Sequence, residues 1–503
     1  MKHILQTGLI AVLTLTALTS SAQQNFQKKY YPFDNLFPVV QVDLNNDGIP
    51  DFIAETRSSQ IQELLSTGSG NYTSKTLTVS GSGGGYPVAS GDFNKDGKAD
   101  VIFWPTGIAY GNGSGGFSSF KSTAWQDSSY YTQAVVADFN RDGKPDFALA
   151  YQNQSVFRVL LFLNTGSGFN SPKTIYSQSV PSGSSPGYEY TTPLDLVLGD
   201  FDADGRADLV VRTTESDPND VTAALVTLSA LYGDGAGAFT RKTITVSHNT
   251  VREIAAARLN ADGTSDIVAN GFSAAYPIRI YYGRTDRTFS AVSQSAANDD
   301  SINPMLADFN GDKRKDIIYA AQTGAAQDNI GISELFRTST GSYTQQPFFP
   351  NDSYNAQSGV IPYSQTFVGD YNRDGRPDVA LISSENQLEH PRSVVIMLNE
   401  GVTPNGTCLT PAGAGIAVCS PTSGATVSSP VNFAFSANYF YPLRKTEVWI
   451  DGVKKSELYE AFATEAFHNA TLTLGSGTHT VGLFAVTYDG KLLLHKSYSI
   501  TVK

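Results

Sequence analysis

The sequence predicts an all-β protein: seven copies of a four-stranded antiparallel unit, followed by a small β-sandwich. Three observations predict it. A nine-residue motif, first met as DLNNDGIPD at 43–51, occurs seven times. Short apolar runs flank each copy, with no helical periodicity of useful length. The chain is rich in Gly, Ser, Thr, Tyr and Phe and only 16% charged, which favours strands and turns over helices.

The repeats come first. The later copies are DFNKDGKAD (92–100), DFNRDGKPD (138–146), DFDADGRAD (200–208), RLNADGTSD (258–266), DFNGDKRKD (308–316) and DYNRDGRPD (370–378). A short strand precedes each, such as VVQV or LDLVLG, and another follows, such as FIA or FALA. A third strand then runs into a Gly-rich turn and an aromatic residue, as in IAYGNGSGGF and ALYGDGAGAF. A fourth follows, as in KTLTV and KTITV. A unit of about 40–60 residues with four strands is the size of a propeller blade. The seventh copy has only three strands before NEG at 399–401. NFQKKYYPF (25–33) resembles a fourth strand and is expected to complete that unit, removing two sheet edges.

Seven such loops, each followed by a Gly-rich turn and Phe or Tyr, resemble the FG-GAP/VCBS repeat family. The resemblance spans about residues 25–401. It implies a seven-bladed β-propeller of four-stranded antiparallel blades, similar to the integrin α-subunit head and some propeller lectins. The motif is specific for fold and metal and poorly specific for function.

Calcium takes six to eight hard oxygen ligands. A nine-residue turn with side-chain oxygens at positions 1, 3, 5 and 9 and a carbonyl at 7 supplies most of them, while Gly at 6 allows positive φ. The expected ligands are Asp43, Asn45, Asp47, Ile49 (carbonyl) and Asp51 in the first loop. The second offers Asp92, Asn94, Asp96, Lys98 (carbonyl) and Asp100; the third Asp138, Asn140, Asp142, Lys144 (carbonyl) and Asp146. The fourth offers Asp200, Asp202, Asp204, Arg206 (carbonyl) and Asp208; the sixth Asp308, Asn310, Asp312 and Asp316; the seventh Asp370, Asn372, Asp374, Arg376 (carbonyl) and Asp378. Position 12 of the first loop is Ala54, so this is no EF-hand.

Catalytic acids are the rival reading. Seven near-identical copies do not fit one active site, and each cluster repels itself without a cation. The loops carry 21 of the 47 carboxylates, and about six divalent ions would cancel the formal charge of −12. Calcium is therefore expected to be structural, about six ions in all. In the fifth loop Arg258 replaces the first Asp, so its guanidinium is expected in the metal's place and the site weak or empty. In the sixth, Lys313 replaces the Gly and is expected to weaken binding.

The other face would carry the ligand. Its loops are long and aromatic: GSGGGYP (81–87), STAWQDSSYYTQ (122–133), SQSVPSGSSPGYEYTTP (177–193) and NDSYNAQSGVIPYSQ (351–365). Tyr86, Trp104, Trp125, Tyr188, Tyr190 and Tyr363 are the candidate ligand-binding residues, suited to sugars or protein surfaces. Residue by residue, packing of the loops is the competing role. No GxSxG elbow, HExxH or phosphate loop occurs, and His248 and His390 fall in different blades. An acid pair such as Glu189 and Glu385 on that face would make the chain a polysaccharide lyase or hydrolase.

The termini complete the reading. Residues 1–22 read as a signal peptide, with a basic MKH start, an apolar ILQTGLIAVLTLTAL run and a small-residue SSA site. A membrane anchor is the alternative, disfavoured by the short, Thr-rich run. No later segment is apolar enough to span a bilayer, and the charge argues against nucleic acid. After the propeller at 23–402 comes a Pro/Gly/Thr linker at 403–415 and alternating strands at 416–503. These resemble a bacterial Ig-like β-sandwich, with Trp449 as the expected core ring. His468, His479 and His495 read as surface or packing residues. Cys408 and Cys419 are expected to form one disulfide, in keeping with an exported chain. The chain is therefore expected to be non-enzymatic, secreted or on the cell surface, and to bind a carbohydrate or protein. A scaffold or spacer is the third reading.

Overall fold

The computed structural model describes residues 24–33, 36–56, 60–77, 85–123, 125, 130–152, 156–179, 195–217, 220–248, 251, 253–270, 278–294, 300–323, 329–345, 349–350, 363–383, 393–402, 414–439, 443–459, 465–487 and 493–503. The proposed signal peptide lies outside them. Every regular element among them is a strand.

Each loop motif joins the first two strands of one four-stranded antiparallel sheet. The first sheet runs Leu36–Val42, Asp51–Glu55, Ile61–Gly68 and Asn71–Leu77. Five more repeat this order, the sixth with a fifth short strand, Phe349–Pro350. The residue before the loop always pairs with the loop's last Asp: Val42 with Asp51, Gly91 with Asp100, Ala137 with Asp146, and so on to Gly369 with Asp378. In the seventh sheet the strands are Tyr363–Gly369, Asp378–Ser383 and Ser393–Val402, and the fourth is Gln24–Pro32 from the other end of the chain. That strand pairs antiparallel along its whole length, Gln24 with Val402 through to Pro32 with Ser393.

The burial pattern follows from stacking. Second strands such as Asp51–Glu55, Asp100–Trp104 and Asp266–Asn270 are buried at every position, because both faces of the sheet are covered. Fourth strands such as Asn71–Leu77 are largely exposed. Every core cluster of the repeats is shared by two sheets. Val40, Val42 and Ile53 of the first meet Val101 and Phe103 of the second. Phe147 and Phe162 of the third, stacked at 4.3 Å, meet Ile102 and Trp104 of the second. The series continues round until Phe52 and Tyr72 of the first sheet meet Tyr371 and Ile396 of the seventh. Gln365 reinforces that last junction, accepting from the Val39 amide at 2.7 Å.

The C-terminal residues form two sheets. One has three strands: Gly415–Ser420, Val431–Asn438 and Glu465–Leu472. The other has five, in the order Thr426–Val427, Leu493–Val502, Gly477–Thr487, Leu443–Ile450, Val453–Tyr459. Phe433, Phe435, Val448, Leu483 and Ile500 pack between them. Trp449 is not in that core, contrary to expectation. It alternates with the inward Val448 and Ile450, so it lies on the outer face. There it packs on Phe484 and donates to Glu447 Oε2 at 2.7 Å. The buried ring is His468, held between Thr446 and Ser456 at 2.9 and 3.0 Å and stacked on Phe435. Burial pushes its pKa down to about 3. Cys419 is disulfide-bonded; its partner in a two-cysteine chain is Cys408, which lies outside the described residues.

The N-terminal strand can be tested as a closing element. Phe26 and Phe33 are 4% and 0% exposed in the two clusters that flank the seventh sheet. Phe26→Ala and Phe33→Ala should each cost about 3–5 kcal/mol in urea unfolding. A loss under about 1 kcal/mol for both would mean the strand is not part of the folding unit.

Candidate metal centres

The loops are built from backbone amides turned inward. In every loop but the fifth, the carboxylate at position 1 accepts the amides of positions 5 and 6, at 2.7–3.1 Å. The side-chain oxygen at position 3 accepts the amide of position 5, and the Asp at 5 accepts the amide of 7. Each oxygen keeps a lone pair for a further partner. The donors are all hard oxygens, and in the fourth loop oxygens of Asp200, Asp202 and Asp208 lie within 4.8 Å of one another. That set fits calcium.

Position 9 does something the sequence did not reveal. Asp51, Asp100, Asp146, Asp208, Asp266, Asp316 and Asp378 are all 0% exposed. One oxygen of each accepts the amide of position 2. The other accepts an amide at the end of the third strand: Ser66, Gly111, Asn164, Gly233, Gly283, Arg337 or Asn399. The carboxylate therefore pins the loop to its own sheet. Burial raises its pKa, to about 7 in Asp51, Asp208, Asp316 and Asp378 and about 6 in Asp100, Asp146 and Asp266.

Position 6 has positive φ throughout, as expected, including Lys313 at 69°. Position 4 was missed. Asn46, Lys95, Arg141, Ala203 and Arg373 also have positive φ, at 57–63°. The sixth loop has Gly311 there instead, so it has merely exchanged its Gly between the two positions. Its left-handed non-Gly residues number one, as in every other loop but the fifth, which has none, so Lys313 adds no extra strain relative to those loops. This removes the physical reason for expecting a weaker sixth site. Position 4 also links neighbours: Asn46 donates to the Gly97 carbonyl at 3.0 Å, and Arg373 of the seventh loop lies over Gly48 of the first.

The fifth repeat differs in another way. Arg258 does not enter its own loop. It reaches back to Asp200 Oδ2 of the fourth loop, at 3.4 Å. Arg287, from the same repeat's turn, contacts Asp202 Oδ2 at 2.7 Å and lies over the Tyr232 ring. Asp202 is where the other loops have Asn, whose amide reaches the Asp at position 5 in the first, third and seventh. Arg287 takes over from that amide and neutralises the extra charge. Elsewhere the cation at position 7 pairs with the Asp at 5, as Lys144 does with Asp142 at 2.6 Å.

The candidate ligand face fares differently. Trp104 is 3% exposed and packs between the second and third sheets, so it is a core residue. Trp125 is half-buried and stacks on it at 5.7 Å, with Phe147, Phe162 and Phe169 around it. Both rings fill a sheet junction, for which a platform of large apolar groups is equally suited. Tyr86 is 40% exposed. Tyr188, Tyr190, Glu189, Glu385, His390 and the side chains of Tyr363 and His248 lie outside the described residues. Among the described residues that end carries a buried ion pair instead, Arg212 to Asp195 at 2.8 Å, which also takes the Ile254 amide.

Stacked four-stranded sheets, each hung on an acidic turn, define an all-β repeat protein. The FG-GAP-like repeat model matches residues 43–103, 138–211, 200–269 and 258–319. The chain carries four FG-GAP-like repeat matches, which support an FG-GAP repeat β-propeller. Comparison with curated proteins gave no match. Among solved structures it is similar to the exotype rhamnogalacturonan lyase YesX, at 12% identity over 76% of each chain with a TM-score of 0.39. It is also similar to the Dos1 propeller, at 9% identity over 90% of this chain and 96% of that one, TM-score 0.38. The V. cholerae biofilm matrix protein Bap1 matches at 13% identity over 94% of this chain and 70% of that one, TM-score 0.27.

Two outcomes follow from the loop chemistry. Unfolded aspartates ionise near about pH 4, whereas the buried ones hold their proton to about 6–7. Between those limits the folded chain binds more protons than the unfolded one, so stability falls as pH rises. In chelator the protein should melt lower at about pH 7.5 than at about pH 5.5, and saturating calcium should remove the difference. His468 acts in the opposite sense, but as one group against seven. A chelated protein that gains stability across that range would refute the assignment. Second, Arg287→Gln should loosen residues 200–208 in chelator, read by amide exchange, at a cost of about 1 kcal/mol. Asp202→Asn in the same chain should restore them. Unchanged exchange in the single variant would remove Arg287 from the role.

Proposed function

We propose that this is an exported, calcium-stabilised propeller of seven blades with a C-terminal Ig-like sandwich, acting in non-catalytic recognition of an extracellular carbohydrate or protein. One observation carries the reading: the same all-oxygen, amide-organised loop stands in six of seven sheets on one end. A repeated centre of that kind suits a scaffold held in shape, not a single reaction site. Bound calcium would supply counter-charge to the carboxylates at positions 1 and 5, and would also be coordinated by the side-chain oxygen at 3 (Asn, or Asp202 in the fourth loop) and the carbonyl at 7. The protein's own work is to orient those oxygens through inward amides and to pin each loop by its buried ninth residue. Seven sheets whose core clusters are each shared by two neighbours, the last with the first, support one closed ring. Two sheets of three and five strands around Phe433 and Val448 support the Ig-like reading. No helix among the described residues is long and apolar enough to cross a membrane.

Retention and product release on a panel of polysaccharides, with calcium present, test the proposal. Retention without new chain ends is the expected outcome. New chain ends would replace it with a polysaccharide-active enzyme. Neither signal would move the reading to a protein partner or a spacer.

A further inference from the structure

The loop end of the fifth repeat holds an opening of another kind. A cleft of about 430 Å³ is lined there by Asn260, Asp262, Tyr282, Arg284, Ser290 and Arg337. Asn260 and Asp262 are positions 3 and 5 of the fifth loop, so the cleft opens at the loop that lacks the first carboxylate. Arg258, which stands in its place, is turned away onto Asp200. One oxygen of Asp262 is occupied: Oδ1 accepts the Thr264 amide at 3.0 Å and the Thr264 hydroxyl at 2.7 Å, so a single carboxylate faces the two guanidiniums in the lining.

Five arginines around the loops, Arg206, Arg258, Arg287, Arg314 and Arg376, are held by loop carboxylates. Arg284 and Arg337, like Arg141 and Arg373, have no ion pair among the described residues. Nε of Arg337 is buried without any hydrogen-bond partner, a cost unless a partner arrives. Its backbone is fixed, the amide on Asp316 and the carbonyl on Arg314 Nε at 3.0 Å, so the side chain leaves from a rigid point. Tyr282 adds a half-buried aromatic residue to the lining, and Ser290 and Asn260 add neutral hydrogen-bonding groups. The volume lies within the range of small-ligand sites.

We propose that the fifth repeat has exchanged a cation site for an anion-binding cleft, in which Arg284 and Arg337 receive the acid group of a carboxylated or sulfated saccharide and Tyr282 supports its ring. Planar guanidiniums bind carboxylate and sulfate oxygens in pairs, and an aromatic face suits a sugar ring. The inference deepens the recognition reading by naming a ligand class, and it places that ligand on the loop end instead of the opposite face.

Calorimetric titration of the calcium-loaded chain with short oligogalacturonate, sulfated dextran and plain dextran tests it. The expected result is binding to one or both acidic saccharides, weakened by salt, and none to plain dextran. Preference between the two acids tells carboxylate from sulfate. The double change Arg284→Gln and Arg337→Gln should reduce affinity at least about tenfold with the melting temperature retained. Ser290→Glu, which leaves both arginines in place, should do the same by adding a negative charge. Acidic binding unaffected by either variant would overturn the cleft and leave the recognition proposal standing. Failure of both acidic saccharides to bind would overturn the cleft, and retention of any neutral polysaccharide would then keep the broader proposal alive.

Discussion

The repeats depend on a buried carboxylate that appears once in each of their sheets. The ninth residue of each loop accepts one amide from the loop and one from the end of the third strand. Removing both acceptors would leave two buried amides without partners, each worth about 1–3 kcal/mol. The same group explains why the loop geometry is so constant. With its far end tied to the sheet and its near end paired in fixed register, a nine-residue turn has little freedom left. The inward amides then set where the remaining oxygens point, so the charge sits in a defined cage.

Such a cage is an electrostatic liability that the molecule handles locally. Position-7 cations lie against position-5 carboxylates in most loops. These pairs are partly exposed and individually weak, so they temper the repulsion only in part. The fourth and fifth repeats depart together. One has an extra Asp, and its neighbour supplies two arginines to it. The departure in each sequence makes sense only beside the other.

Neighbouring repeats are joined through apolar packing as well as through these polar links. No sheet owns a core; each cluster lies between two sheets. A blade alone would expose both faces, which accounts for the continuous apolar second strands. It also explains why the N-terminal strand returns to the last sheet: Ser393–Val402 would otherwise be an open edge beside two apolar junctions.

Much of this was legible in the sequence, because it is local and periodic. Seven acidic turns with strands on both sides specify strand and turn through residue type and spacing alone. The closing strand was legible too, as a fourth-strand pattern missing from one end and present at the other. What the sequence could not supply was direction across space. Trp104 and Trp449 are aromatic residues in strands, and only the packing decides that the first is core and the second is not. Arg258 is a substitution within its loop by sequence, yet the neighbouring loop is what it serves. Lys313 reads as an added strain until Gly311 is seen to take the left-handed position two residues before it. Arg337 looks like any strand-end arginine, and only the structure brings it to one cleft with Asn260 and Tyr282 of the fifth repeat. Turns are set by a few consecutive residues, so the order of amino acids determines them. Neighbours across a sheet junction are set by the stacking of whole sheets, which no short stretch of sequence contains.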